Sequence, residues 1–331
     1  MVLENIQSGG NMTTRIIGTG RCVPERVVTN DHLAEIMDTS DEWIYSRTGI
    51  KNRHIAIEET TTGMAATAAK RAMEKAGIQP EDIDLILVGT VSGDTCFPST
   101  ACNVQSEIGA VNATAYDISA GCTGFIFALH TAHAFISSGM CKTALIIGAE
   151  TLSKMVNWED RSTCVLFGDG AGAAVVQADD KGMLAIEQHS DGAGGGCLKC
   201  DNRPSNNPYL KNEAALDYLA MNGQDVFKFA VRKVPESILA VLDKAGLATD
   251  DVDHFILHQA NARIIQSVSR HLKVDLDKFP MNMNEYGNTS AASVPILLDE
   301  LVESGTVKPG DKIVMAGFGA GLTWGACVLE F

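Results

Sequence analysis

The sequence predicts an α/β protein made of two duplicated halves, stacked as five layers in the order αβαβα. Three observations predict it: a block that recurs at one constant offset, strands that are apolar throughout, and a helix that is apolar on nearly every side.

The repeat is explicit. Lys75-Ala76-Gly77-Ile78 and Asp82-Ile83-Asp84-Leu85-Ile86-Leu87 return as Lys244-Ala245-Gly246-Leu247 and Asp251-Val252-Asp253-His254-Phe255-Ile256, each position displaced by 169 residues. The same displacement carries 144–148 onto 313–317 and Leu129 onto Leu298. One offset kept over three separated blocks marks one half as a diverged copy of the other.

Each copy reads as helix, turn, buried strand, helix, buried strand. A helix near 63–76 stops at Gly77, and its counterpart near 225–245 stops at Gly246, glycine being the residue that takes the left-handed cap without strain. The strands 85–91 and 143–148 are continuous apolar runs, the pattern of strands covered on both faces. Between them, 124–138 is an almost uniformly apolar helix that belongs at the centre. Residues 1–12, with Ser-Gly-Gly and a second Met, read as a flexible leader or expression remnant outside the fold. The halves are then 13–180, carrying a nucleophile, and 181–331, carrying its partners, with the active site where they meet.

Composition narrows the class. Of 331 residues, 45% are hydrophobic and 20% charged, too apolar for disorder. No run reaches the roughly 18 apolar residues of a membrane helix, and no signal peptide is evident, so a cytoplasmic protein without a membrane partner is expected. Nine scattered cysteines, an odd number, fit reduced thiols rather than a disulfide framework. A formal charge of −15 argues against nucleic acid as a partner.

Cys122 stands in Asp117-Ile118-Ser119-Ala120-Gly121-Cys122-Thr123-Gly124, at the turn from a strand into the central helix. A helix start offers unpaired N–H groups and the positive dipole end, which favour a thiolate, and the glycines allow a sharp turn. His258, in Leu257-His258-Gln259-Ala260-Asn261, ends the repeated strand at the position of Gly89. Strand ends are where open α/β sheets place their sites. Asn288, in Tyr286-Gly287-Asn288-Thr289-Ser290, precedes the helix that corresponds to the one after Cys122. The halves thus present Cys122 and Asn288 at equivalent elbows.

These residues, with Asp41-Glu42-Trp43-Ile44, Arg47-Thr48-Gly49-Ile50, Phe167-Gly168-Asp169-Gly170-Ala171-Gly172 and Gly317-Phe318-Gly319-Ala320-Gly321, resemble the thiolase superfamily. Within it they resemble the β-ketoacyl-acyl-carrier-protein synthase III family, from about Thr13 to Phe331. The resemblance implies a homodimeric, cytoplasmic acyltransferase of fatty-acid initiation. It would condense a short acyl-CoA primer with malonyl-acyl carrier protein, releasing CoA and CO₂, with coenzyme A thioester as substrate and no cofactor or metal. Cys122 would take the acyl group, and backbone N–H groups of Cys122 and the Gly319–Ala320 loop would hold the oxyanion. His258 and Asn288 would stabilise the enolate left by decarboxylation, with Phe318 crowding the malonyl carboxylate. Trp43 and Arg161 would flank the adenine, Arg47 would meet phosphate, and Asn261 would also line the coenzyme A tunnel. Phe97 would cross a dimer interface to floor the partner's acyl pocket. Relatives often have glycine where this chain has Ala320, a change that keeps the backbone donor.

Carrier docking is expected on basic residues flanking the His258 strand end. Lys228 and Arg232 lie one turn apart with Lys233 alongside, while Arg263 and Arg270 would align on a following helix with Lys273 beyond. Rival readings are a type III polyketide synthase or quinolone-type condensing enzyme using free CoA thioesters, or an inactive scaffold. The last would need loss of a catalytic group, and all three are present. The glycine clusters at 168–172 and 317–321 lack dinucleotide and phosphate-loop spacing, and Cys197-Leu198-Lys199-Cys200 has no second pair for zinc. His254 and His258 are four apart on a strand rather than a helix, so they are not a zinc-protease pair, and His130 and His133, on a helix, lack a third ligand nearby in sequence and read as core or helix-end residues.

Overall fold

In the computed structural model, which describes residues 12–211 and 217–331, the repeated blocks build two matching sheets. All of the 1–12 leader except Met12 lies outside the described residues. The first sheet has the order Thr13–Cys22, Asp169–Asp179, Thr143–Thr151, Leu85–Gly89, Thr114–Ile118. The second has the order Met183–Ser190, Thr323–Glu330, Lys312–Gly319, His254–Leu257. Over the four strands the sheets share, the directions agree: Leu85–Gly89 is parallel to Thr143–Thr151 as His254–Leu257 is to Lys312–Gly319, and the next two pairings in each sheet are antiparallel. The first sheet adds Thr114–Ile118 as a fifth strand parallel to Leu85–Gly89. Even the register is kept, Leu85 opposite Ala144 and His254 opposite Ile313.

Local chemistry repeats with it. Gly77 and Gly246 both cap their helices at φ 68°, and the next residue's N–H closes each turn onto Met73 and Leu242. Asp84 Oδ2 accepts the Thr143 N–H at 3.0 Å, and Asp253 Oδ2 accepts the Lys312 N–H at 2.8 Å. A carboxylate in the same loop therefore pins the same strand start twice.

Side-chain alternation makes the layers. Leu85, Leu87, Ile146 and Val176 of the first sheet, and Ile256, Ile313 and Met315 of the second, face one shared core filled by the helices Gly124–Ser137 and Ser293–Glu303. The intervening residues face outward. Ile86, Val88, Leu145 and Ile147 meet the helices Thr61–Ala76 and Thr100–Ile108, while Phe255, Leu257, Val314 and Ala316 meet Gly223–Ala245 and Ala262–Leu272. The expected strand 85–91 stops at Gly89 because the Val91 N–H and the Thr90 and Ser92 hydroxyls turn to the Glu150 carboxylate.

Candidate active site

Cys122 sits in a short 3₁₀ turn, Gly121–Thr123, that leads directly into Gly124–Ser137. Its position depends on two glycines. Gly121 has φ 55°, and a Cβ at Gly319 would lie 2.5 Å from the Cys122 nitrogen, so only glycine lets that strand end approach. Threonines tie the two loops together: Thr323 Oγ1 lies 2.9 Å from Thr123 Oγ1 and from the Ala120 carbonyl. Among the described residues, neither the Cys122 nor the Ala320 N–H meets an intramolecular acceptor, which leaves both available to an oxyanion.

Cys122, His258 and Asn288 line one cavity of about 190 Å³, together with Phe318, Gly319, Phe227 and Asn261. Each of the two donors is oriented by its neighbours. Ser293 Oγ lies 2.7 Å from His258 Nδ1 and accepts the Gln259 N–H at 3.3 Å. With the Gln259 N–H on one Ser293 lone pair, the hydroxyl hydrogen is free to point at Nδ1, the arrangement that places the ring hydrogen on Nε2, toward the cavity. Burial drives His258 down to about 3, so the imidazole is neutral, and the Phe318 ring meets it edge-on at 5.1 Å. Asn288 Oδ1 accepts the Ser290 N–H at 2.9 Å, which leaves the amide NH₂ as the end free to donate. Two neutral donors from the second half therefore face a thiol from the first.

The thiol itself departs from the expectation of a resting thiolate. Cys122 opens onto the cavity but is enclosed by protein, and desolvation pushes it up to about 12. The nearby Glu150 adds to the rise, while the Ser290 hydroxyl and the cysteine's own N–H oppose it. A helix start without water around the sulfur does not offset the loss of solvation.

The expected coenzyme A residues group beside this cavity. Both Arg47 and Arg161 lie over the Trp43 ring, at 4.7 and 5.2 Å from its centroid. A base between Trp43 and Arg161 needs a gap of roughly 7 Å, two contact distances, so the Arg161 side chain has to swing off the indole and away from Asp38 first. Asn261 lines the cavity and caps Ala262–Leu272, its Nδ2 donating to the Arg47 carbonyl at 3.0 Å. Phe97 is 87% exposed and is not among the residues lining its own chain's cavity.

Of the basic residues, Arg263 lies over Phe227, a cavity-lining ring, at 5.8 Å. Lys228, Arg232 and Lys233 edge an open groove on the adjoining helix, with Lys228 near Asp225 at 3.4 Å and Lys233 on Glu236 at 2.7 Å. Arg270 and Lys273 close the far end of Ala262–Leu272. Among the described residues, no three His, Cys, Asp or Glu side chains converge as a metal site requires.

Three neighbours of the site escaped sequence reasoning: Ser293, Ser290 and Glu150. Glu150 had a visible signal, a lone carboxylate in a strand, Thr143–Thr151, that is buried at every position.

A thiol and two neutral hydrogen-bond donors meeting between duplicated halves define a thiolase-like condensing acyltransferase. The family model described as 3-Oxoacyl-[acyl-carrier-protein (ACP)] synthase III matches residues 116–192, and its C-terminal counterpart matches 242–331. A β-ketoacyl-[acyl-carrier-protein] synthase III of Clostridium novyi is 50% identical over 319 residues, 96% of this chain and 98% of that one. The crystal structure of 3-oxoacyl-[acyl-carrier-protein] synthase III from Aquifex aeolicus VF5 superposes with TM-score 0.91 at 49% identity, covering 96% of this chain and all of that one (100%). A priming β-ketosynthase of the R1128 polyketide pathway superposes equally, at TM-score 0.91 and 36% identity, covering 99% of this chain and 98% of that one. The chain belongs to the β-ketoacyl-acyl-carrier-protein synthase III family.

Proposed function

We propose that the protein catalyses the decarboxylative condensation of a short acyl-CoA primer with malonyl-acyl carrier protein, giving 3-oxoacyl carrier protein, CoA and CO₂, the opening step of type II fatty-acid synthesis. The observation that carries this reading is the convergence of Cys122, His258 and Asn288 on one cavity, with both donors pre-oriented and uncharged. The Cys122 sulfur takes the acyl group while the Cys122 and Ala320 N–H groups hold the oxyanion. Coenzyme A leaves, and malonyl-carrier protein enters. Its thioester oxygen then receives hydrogen bonds from His258 Nε2 and Asn288 Nδ2, which stabilise the enolate as CO₂ departs. Phe318, against His258, presents an apolar edge that disfavours the carboxylate and favours its loss. The carbanion attacks acyl-Cys122 and frees the thiol.

In this reading Trp43, Arg47, Arg161 and Asn261 receive coenzyme A, no cofactor or metal takes part, and the enzyme works in the cytoplasm. Phe97, exposed on its own chain, supports a homodimer in which it enters the partner's acyl pocket. Lys228, Arg232, Lys233, Arg263, Arg270 and Lys273 form a basic rim for the acidic carrier, a local attraction that works within a Debye length of about 8 Å despite the chain's negative total. A polyketide-priming role is the second reading, supported by the likeness to the R1128 ketosynthase.

The deciding experiment is a panel of acyl-CoA primers assayed with malonyl-carrier protein and, separately, malonyl-CoA. Condensation with the carrier thioester and one acyl adduct on Cys122 are expected. Preference for malonyl-CoA, or an adduct persisting in Cys122→Ala, overturns the reading.

A further inference from the structure

Glu150 is a fully buried carboxylate at the end of Thr143–Thr151, and among the described residues no cationic side chain forms an ion pair with it. Its two oxygens differ. Oε2 accepts from the Val91 N–H at 3.1 Å, the Thr90 hydroxyl at 3.3 Å and the Ser92 hydroxyl. Ser92 itself receives the Thr151 N–H at 2.8 Å and Thr90 receives the Ser92 N–H at 3.2 Å, so both hydroxyl hydrogens are committed to Oε2. That oxygen has no room for a proton of its own. Among the described residues Oε1 has one partner, the Ser290 hydroxyl at 3.0 Å, and the turn that carries Ser290 packs on the turn that carries Cys122, where the hydroxyl lowers the thiol's pKa.

Ser290 is held there against its backbone preference. It has φ 51°, one of two non-glycine residues at positive φ among the described residues, and the equivalent position of the first half is Gly121, at φ 55°. Serine in place of glycine costs about 1 kcal/mol or more of local strain. The hydroxyl is what the strained serine adds; it donates to Glu150, and the Ser290–Ala292 turn that carries it packs on the Gly121–Thr123 turn that carries Cys122.

We propose that Glu150, acting through Ser290, takes the Cys122 proton as acyl transfer begins and returns it when condensation frees the sulfur. This rests on the condensing function proposed above. With Glu150 ionised, Ser290 donates to Oε1 and its lone pair accepts the thiol hydrogen. As the S–C bond forms on the acyl carbonyl, the thiol proton passes to Ser290 Oγ and the serine proton to Oε1. The products are a protonated Glu150, an intact Ser290 and acyl-Cys122, while the CoA thiolate leaves and is protonated by solvent. When the carbanion breaks the acyl–sulfur bond, the same two hydrogens move back to the emerging thiolate. Burial raises Glu150 to about 7, where a carboxylate can accept and give back a proton near neutral pH. Cys122 is the titratable group facing it. On the neighbouring elements, the Lys154–Asp94 pair, 3.5 Å apart, meets Thr61, whose hydroxyl meets Thr151, and the Asp169 carboxylate is directed to Ser153 and the Ala56 N–H.

The test is single-turnover acylation of the intact enzyme by acetyl-CoA across pH, read by mass on Cys122. Wild type should show a rate that rises as pH passes through about 7, where Glu150 becomes the base. Glu150→Gln should lose that limb and fall roughly 10²-fold at neutral pH, the usual size of a general-base contribution. Ser290→Gly, which suits the positive φ and removes the hydroxyl together with its Cβ, should reproduce the loss, and Glu150→Asp should retain the limb. If folded Glu150→Gln or Ser290→Gly keeps the wild-type rate and pH profile, the relay is wrong. If wild type itself takes no acyl group, the condensing function falls, and this role with it.

Discussion

Position for position the two halves share a backbone and divide the chemistry. At the constant offset of 169, Gly89 corresponds to His258, Ser119 to Asn288, Cys122 to Ala291 and Glu150 to Gly319. In the first half a Cβ at Gly89 would lie 2.4 Å from the Gly124 carbonyl carbon, so strand end and helix start touch through bare backbone. In the second half the same two places hold His258 and Ser293, joined by a 2.7 Å hydrogen bond. The difference teaches that the elbow fixes where a side chain can act, while small residues on one copy make room for functional ones on the other. Gly319 is the clearest case: it carries nothing so that Cys122 can approach.

The largest effect should come from moving the nucleophile between elbows. Cys122→Ala abolishes the acyl adduct, and adding Ala291→Cys does not restore it, because Ala291 packs against Gly124 and Gly148 rather than the cavity. Intact mass after acetyl-CoA checks both, and an adduct on residue 291 would erase the asymmetry argued here.

Next comes the donor pair peculiar to the second half. His258→Ala and Asn288→Ala should each lower malonyl-carrier decarboxylation by roughly 10²–10³, with acyl transfer hit less. Since His258 is held down to about 3, it is neutral well below physiological pH. Decarboxylation by Cys122→Ala should therefore show no histidine limb between about pH 5 and 8, where an unperturbed imidazole would titrate. A bell with an arm near the ordinary histidine value would refute the neutral donor.

A smaller effect tests the proposed rim, whose residues all lie in the second half. Lys228→Glu, Arg232→Glu and Arg263→Glu should raise KM for malonyl-carrier protein several-fold, more so at low salt, with self-acylation by acetyl-CoA changed much less. Equal slowing of both half-reactions would move docking elsewhere.

The smallest effects should be equal ones. Gly77→Ala and Gly246→Ala, both at φ 68° with open space around the Cβ, should each cost about 1 kcal/mol of stability and leave activity alone. Unequal losses in thermal melts would show that the two caps are less alike than their geometry.

The fold was legible because its signals are local: apolar runs, glycine stops and an offset that survives divergence. Cys122, His258 and Asn288 were legible because each sits at a strand end or helix start that the repeat places independently. The pairing of Glu150 with Ser290 was not, since their bond spans 140 residues and joins opposite halves. The thiol's pKa was misjudged for a related reason. A helix start is visible in sequence, but the desolvation that outweighs it comes from packing by the other half. Arg161 against Trp43 is likewise a contact between distant segments, and no spacing announces it.

The shared central layer has a historical consequence. Leu85, Leu87, Ile146 and Val176 are kept dry partly by helix and strand residues of the second half, including Val294, Leu297 and Met315. A lone half would turn that apolar face to water, and such faces drive self-association. A single copy of the repeat would keep that face dry by pairing with an identical copy, each with the same elbow. Joining the copies in one gene released them from identity, so a mutation could place a thiol on one elbow without placing it on the other. Division of labour in this active site is a consequence of that fusion.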